Sequence, residues 1–241
     1  QAPPPAEEIP QPELFRQTLS LSYSWQAATR APSKVTATQL KGRTLDEEVA
    51  DGTARRSGRF RRPEFLERQT PQGREIGVAT HQAMQFLRYE ACTSPEAVEQ
   101  ELQRLYREEY LTQHQLELAN RQWIWRFFQQ ELGRRLQSGR NVLREFKFSL
   151  LEDGGQLDPR LAGEQILLQG VVDCCLIEPE GLTILDFKTD RVQPGREAEV
   201  AERYAPQVRS YGRALARIYR LPVRKLLLYF FRSGHWQEIA P

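Results

Sequence analysis

Residues 165–178, QILLQGVVDCCLIE, are apolar almost without interruption, the pattern of a strand buried on both faces. Glu178-Pro179-Glu180-Gly181 follows with turn chemistry, and then comes a second apolar run, GLTILDFKTD. The pair reads as a central hairpin that has to be covered on each side. That requirement points to an α/β protein, a mixed β-sheet flanked by helices. Asp173 and Asp186 interrupt the two runs, and Lys188 stands two residues beyond the second.

The turn fixes how the interruptions relate. If Pro179 and Glu180 form a two-residue loop, Glu178 faces Gly181, and the same register sets Asp173 opposite Asp186. Their Cβ atoms would then be about 5 Å apart. Lys188 shares a face with Asp186. Two carboxylates so placed repel one another and lose solvation, which a purely structural sheet has no use for. A surface salt-bridge group with Lys188 is the bland alternative, and the apolar flanks weigh against it. A hard divalent cation resolves the conflict, because Mg²⁺ takes oxygen ligands and needs only one or two carboxylates. A lysine at its edge can orient water or stabilise charge on a phosphate oxygen. These are the parts for metal-assisted phosphodiester hydrolysis.

The rest of the chain is organised around this hairpin. Residues 1–12 are Pro-rich and read as a linker joining a larger protein. Residues 13–241 are expected to form a single domain. Its first part, residues 13–138, is mostly helical, with a helix start expected at Thr36-Ala-Thr-Gln-Leu and helical patterning from Gly77. Ser94-Pro95-Glu96 reads as an N-cap followed by proline at the first helical position. Residues 139–241 read as β-β-β-α-β, with HWQEIA able to pair with the last strand. Within the glycine-containing stretch 51–75 lie Arg55, Arg56, Arg59, Arg61 and Arg62, a concentration of charge suited to a phosphate backbone or to a solvated loop. Net charge is only +2, so charge as a whole does not announce a nucleic-acid binder. Cys92, Cys174 and Cys175 form no CxxC pair, and read as small core residues in a reducing compartment. No run approaches the roughly 20 apolar residues of a membrane span.

Several motifs occur in an order that resembles the PD-(D/E)XK nuclease superfamily. GVVDCC is similar to the G-[IV]-[IVL]-D strand of its RecB-type branch, and DFKTDRV to that branch's D-[YF]-K-T-[DN] element. Residues 204–211, YAPQVRSY, resemble the Y-x-x-Q-x-x-x-Y helix. GVATHQAMQFL resembles a helix that contributes a histidine. RPEFL and KVTATQLKG are similar to stretches of AddA-type helicase–nucleases. The resemblance runs from about residue 33 to residue 232.

The resemblance implies a restriction-endonuclease-like core with a helical N-terminal part. It implies Asp173 and Asp186 as ligands of Mg²⁺ or Mn²⁺, with the Phe187 carbonyl and His81 on the same metal and Glu145 within reach of it. Lys188 would act on the attacking water or the scissile phosphate. Gln207 and Tyr211 would border the site, and Tyr204, like the arginine cluster, would contact DNA. No iron–sulfur cluster is expected with these cysteines, and the chain has no G-x-x-x-x-G-K-[ST] loop for ATP. The expected setting is a bacterial cytoplasm, on single-stranded DNA delivered by a helicase motor of the same parent chain, beside an AddB-like or RecC-like partner protein. Two alternatives stay open: a nuclease-like module that binds DNA or a partner protein without cutting, and a stand-alone RecB-family exonuclease.

Overall fold

The structure, a computed structural model, describes residues 31–40, 71–138, 141–156, 158–193 and 195–240. Its centre is β3 (Gln165–Glu178), in contact along one whole edge with the antiparallel β2 (Val142–Asp153). Two strands share the other edge. β4 (Gly181–Lys188) pairs antiparallel with it from Glu178↔Gly181 to Cys174↔Leu185, and the short β1 (Lys34–Thr36) pairs parallel at Leu167 to Gln169. Between them, residues 170–173 face no strand on that edge among the described residues. β5 (Val223–Phe230) lies parallel to β4, and β6 (His235–Ile239) antiparallel to β5, completing a mixed sheet of six strands.

The hairpin register is the one its turn dictates, and Gly181 shows why. It has φ +136°, and a Cβ there would lie 2.3 Å from the Pro222 carbonyl oxygen. Only glycine fits both conditions.

One face of the sheet is covered by α6 (Glu197–Tyr219), whose Ala201, Val208 and Leu215 pack on Val172, Ile184 and Leu228. The other face carries α1 (Pro71–Phe86), α2 (Pro95–Arg107), α3 (Gln113–Leu118), α4 (Arg121–Phe128) and α5 (Glu131–Ser138). Their apolar sides gather around Phe127, against Leu185, Phe187 and Tyr229 of the sheet and Phe231 just past β5. The Ser94 hydroxyl accepts the Ala97 N–H at 3.1 Å and Pro95 opens the helix, as expected for the start of α2.

Two local readings are corrected. Thr36-Ala-Thr-Gln-Leu does not start a helix, because residues 34–36 are β1 and residues 37–40 turn away. The β-branched Val35 and Thr36 favour the strand, and Gln39 Oε1 accepts from both the Thr36 N–H and its hydroxyl at 2.7 Å, closing the turn. Helix α1 begins at Pro71, before Gly77, so His81 stands well inside it rather than at its start.

In β2 and β3 the alternation of inward faces breaks once, at the same level. Phe146, Phe148 and Leu150 point to the α6 side, whereas Val142 belongs to the opposite core and Leu143 to the α6 side. Across from them, Leu168 and Val172 face α6, but so does Cys175, while Cys174 and Leu176 face the α1–α5 side. The phase changes at Glu145 on one strand and at Asp173 on the other. Glu145 has φ +48°, a conformation that costs a non-glycine residue about 1 kcal/mol or more.

Behind the sheet, Glu101 ties the segment that follows α1 to α2. Its carboxylate accepts from the Arg88 N–H at 3.0 Å and from the Arg104 Nη2 at 2.9 Å, and it also pairs with the Arg88 guanidinium. Burial opposes its charge, but the hydrogen bonds from Arg88 and Arg104 outweigh burial and hold the carboxyl at about 2. Glu101→Gln is expected to cost about 1–3 kcal/mol at pH 7. Because the folded value lies below the unfolded one of about 4.3, this contribution is complete above that pH and fades as pH falls towards 2. Urea unfolding at pH 7 and pH 3 reads the difference; a cost as large at pH 3 as at pH 7 contradicts the assignment.

Candidate active site

The unpaired stretch of the β3 edge opens into a cleft of about 820 Å³ between α1, the kinked strands and the N-terminal half of α6. Asp173 stands at the phase break, one position beyond the last pair, Cys174↔Leu185, with Asp186 opposite it in the same register. There the Asp173 carboxylate replaces the strand partner, its Oδ2 accepting the Phe187 N–H at 2.7 Å. From α1, His81 Nδ1 approaches Asp173 Oδ1 at 3.4 Å and Glu145 Oε1 at 3.9 Å, and its Nε2 donates to the Phe187 carbonyl at 3.0 Å. His81, Glu145 and Asp173 thus each bring a ligand atom within 4.8 Å of the others.

Asp186 is buried, 1% exposed, and its Oδ2 touches the Lys188 ammonium. Lys188 is thus the cation that faces this oxygen. Lys188 lies 4.4 Å above the Tyr204 ring, and the Tyr204 hydroxyl donates to Asp190 at 2.8 Å. One turn further along α6, Gln207 Nε2 donates to the Tyr211 hydroxyl at 2.7 Å, while Gln207 Oε1 has no partner among the described residues.

The charges here are under tension. Burial pushes the Asp186 carboxyl up to about 6, the Lys188 ammonium pulling against it and the Asp173 charge adding to it. Burial also works against the Asp173 charge, yet His81 and Lys188 hold that carboxyl below the usual range. For His81 burial lowers the value, but Asp173 and then Glu145 overcome it and raise the imidazole to about 10. Burial opposes the charge on Lys188, and Asp186 followed by Asp173 keeps it above the ordinary lysine value. Repulsion between carboxylates is therefore relieved by a proton on His81 and by the lysine. A divalent cation does the same work with a better match of charge. The donor set fits: the carboxylate oxygens and the Phe187 carbonyl suit Mg²⁺ or Mn²⁺, and the His81 imidazole completes it with a softer nitrogen.

The structure therefore brings together His81, Glu145, Asp173, Asp186, Phe187, Lys188, Tyr204, Gln207 and Tyr211 around one cleft. Asp186 stands outside the group of three formed by His81, Glu145 and Asp173. Tyr204 is 4% exposed, with its ring under Lys188. Arg55, Arg56, Arg59, Arg61 and Arg62 lie outside the described residues. Asp190, Arg74 and Lys147 also line the cleft, and none of them stands out in the sequence as a site residue. Asp190 carries a visible signal all the same, standing two residues after Lys188 in DFKTD.

A mixed sheet covered by helices on both faces, with carboxylates and a lysine where its central edge lies open, is the arrangement of a nuclease of the restriction-endonuclease-like kind. Residues 53–238 match the model of the PD-(D/E)XK nuclease superfamily, and this chain belongs to that superfamily. Among curated proteins it is similar to an ATP-dependent helicase/nuclease subunit of Desulforudis audaxviator, 32% identical over 94% of this chain and 19% of the relative. The protein of the same name from Geobacillus kaustophilus is 35% identical, over 96% of this chain and 20% of its own length. The one from a Thermoanaerobacter species is 34% identical, over 91% and 18%. The chain spans about a fifth of the length of these relatives. Among the described residues no helix is long and apolar enough to cross a membrane.

Proposed function

We propose that this chain is a Mg²⁺- or Mn²⁺-dependent deoxyribonuclease domain that hydrolyses phosphodiester bonds in single-stranded DNA. The observation that carries this reading is the meeting of the His81–Glu145–Asp173 group with the Asp186–Lys188 pair at the open stretch of the β3 edge. Asp173, Asp186, His81 and the Phe187 carbonyl would hold the metal, with Glu145 on the metal or its waters. The bound cation supplies a polarised water and offsets charge on the phosphate. Lys188 directs its ammonium at the attacking water or the phosphate oxygen. Gln207 and Tyr211, hydrogen-bonded to one another, border the substrate. Arg55, Arg56, Arg59, Arg61 and Arg62 would add affinity for the DNA backbone.

The relatives' printed name pairs a helicase with a nuclease. That supports a domain fed with unwound strands by a motor on the same parent chain, beside an AddB-like or RecC-like partner protein, in bacterial cytoplasmic repair of broken DNA. Residues 13–241 would act as one nuclease unit behind the Pro-rich residues 1–12.

The test is cleavage of labelled single- and double-stranded DNA by the purified chain with Mg²⁺, Mn²⁺ or EDTA. Cutting that requires the metal and favours the single strand is the expected result. Metal-dependent DNA binding without cutting, in this chain and in its full-length parent alike, leaves a binding module and overturns the reading.

A further inference from the structure

We propose that Tyr204 is a positioning residue for Lys188: its ring face, oriented by Asp190, keeps the ammonium in the cleft once a metal has claimed Asp186. This inference rests on the reading of the site given above. Among the described residues two groups touch the ammonium, the Asp186 carboxylate and the Tyr204 ring, whose centroid lies 4.4 Å from Nζ. Only one of them survives loading. A cation bound to Asp186 neutralises that carboxylate and repels the ammonium, so the ion pair weakens just when Lys188 is needed. A ring face attracts a cation through its quadrupole and does not compete for the metal.

The surroundings support the assignment. Tyr204 is 4% exposed, so its ring is braced by the α6 core. Its hydroxyl donates to Asp190 Oδ2 at 2.8 Å, which fixes the ring's tilt from the same loop that follows Lys188. Lys188 itself is only 12% exposed, so the attraction is little diluted by water. Asp190, two residues on, adds a further negative charge, after those of Asp186 and Asp173, that favours the ammonium. Lys188 is thus bounded by Asp186 on one side and by the Tyr204–Asp190 pair on the other.

The experiment has two arms on the whole chain. In the first, phenylalanine and its mono-, di- and trifluorinated analogues are placed at position 204. All fill the same space, but fluorine progressively drains the ring face. The expected result is a stepwise fall in kcat, reaching about threefold to thirtyfold at the last member, with KM for DNA nearly constant. Tyr204→Phe, which keeps the ring face but loses the hydrogen bond to Asp190, should lower kcat by less than the trifluorinated member does. In the second arm, lysine-labelled protein is followed by NMR with and without Mg²⁺. The Lys188 side-chain methylene signals, assigned by their loss in Lys188→Ala, should lie upfield of those of Lys147 and Lys225 in both states. They should move to the ordinary position in Tyr204→Leu. A flat fluorine series, or Lys188 signals that leave the shielded position when Mg²⁺ is added, overturns the proposal. Failure of the site reading shows separately, as binding of Mg²⁺ that is indifferent to Asp186→Ala; the NMR arm without metal then still decides whether the ring holds the lysine.

Discussion

Asp186→Ala is expected to reduce kcat for DNA cleavage by about a thousandfold or more, and Lys188→Ala by about a hundredfold to ten-thousandfold. Asp186 is buried beside Asp173, and its Oδ2 faces the Lys188 ammonium. On the proposed reading, losing it would remove one of the carboxylates that hold the metal. Lys188 presents the ammonium that touches Asp186, and without it the charge that grows on the phosphate is met by the metal alone.

The same carboxylate makes an opposite forecast for stability. Its folded value, about 6, lies above the ordinary 3.8, so the folded state binds a proton more tightly than the unfolded chain. Keeping Asp186 ionised therefore destabilises the metal-free protein progressively as pH rises from about 4 to about 6. Asp186→Asn should match or exceed the wild type in melting temperature at about pH 7.5 with EDTA, with the gap closing at about pH 4, and Mg²⁺ should raise only the wild type. A wild type more stable than Asp186→Asn at the higher pH without metal would falsify the view that this pair of carboxylates is held for the metal's sake.

The second large effect is structural. Phe127→Ala is expected to cost about 3–5 kcal/mol, measured by urea unfolding. The ring is fully buried, 0% exposed, with Phe128 at 5.1 Å, Tyr229 at 5.0 Å, Phe187 at 5.5 Å and Trp236 at 5.7 Å between centroids. It is the centre of the contact between α4 and the sheet. Truncation leaves a void lined by rigid rings that cannot close over it, so the loss should sit at the upper end for a large-to-small change. Phe127→Leu should recover a good part of it. The consequence reaches the cleft, because Phe187 is one of the rings in contact and supplies both its N–H to Asp173 and its carbonyl to His81. Phe127→Ala, where still folded, should bind Mg²⁺ more weakly than Phe127→Leu. Equal affinities would mean that the β4 backbone is held in place by the sheet alone.

The hairpin was legible because its information is local. Four residues at the turn fix the pairing of Glu178 with Gly181, and register then carries the relation to Asp173 and Asp186. The long strands, α6 and the cap of α2 were equally open to reading, since each has a pattern several residues long. β1 was not, because three residues carry no period and its partner lies more than a hundred residues away. The phase break was hidden for a different reason. Inside a run that is apolar on both faces, a change of facing leaves no trace in the order of residue types. Glu145 thus looked like an ordinary strand residue, and its place beside His81 followed only from the family resemblance. The partnership of Tyr204 with Lys188 was out of reach, because it depends on how α6 lies across the end of β4.

That phase break also bears on how the chain finds its fold. In a regular antiparallel pair, sliding one strand by two residues keeps every side chain on its proper side, so such errors are only weakly penalised. Here β2 and β3 each change facing once, at Glu145 and Asp173, and the two changes must coincide. A two-residue slip would separate them and set part of an apolar strand against the wrong one of the two cores. The distortion that gathers the carboxylates thereby serves as a key for alignment, and a chain that mates its strands wrongly is penalised at once by mispacking in both cores.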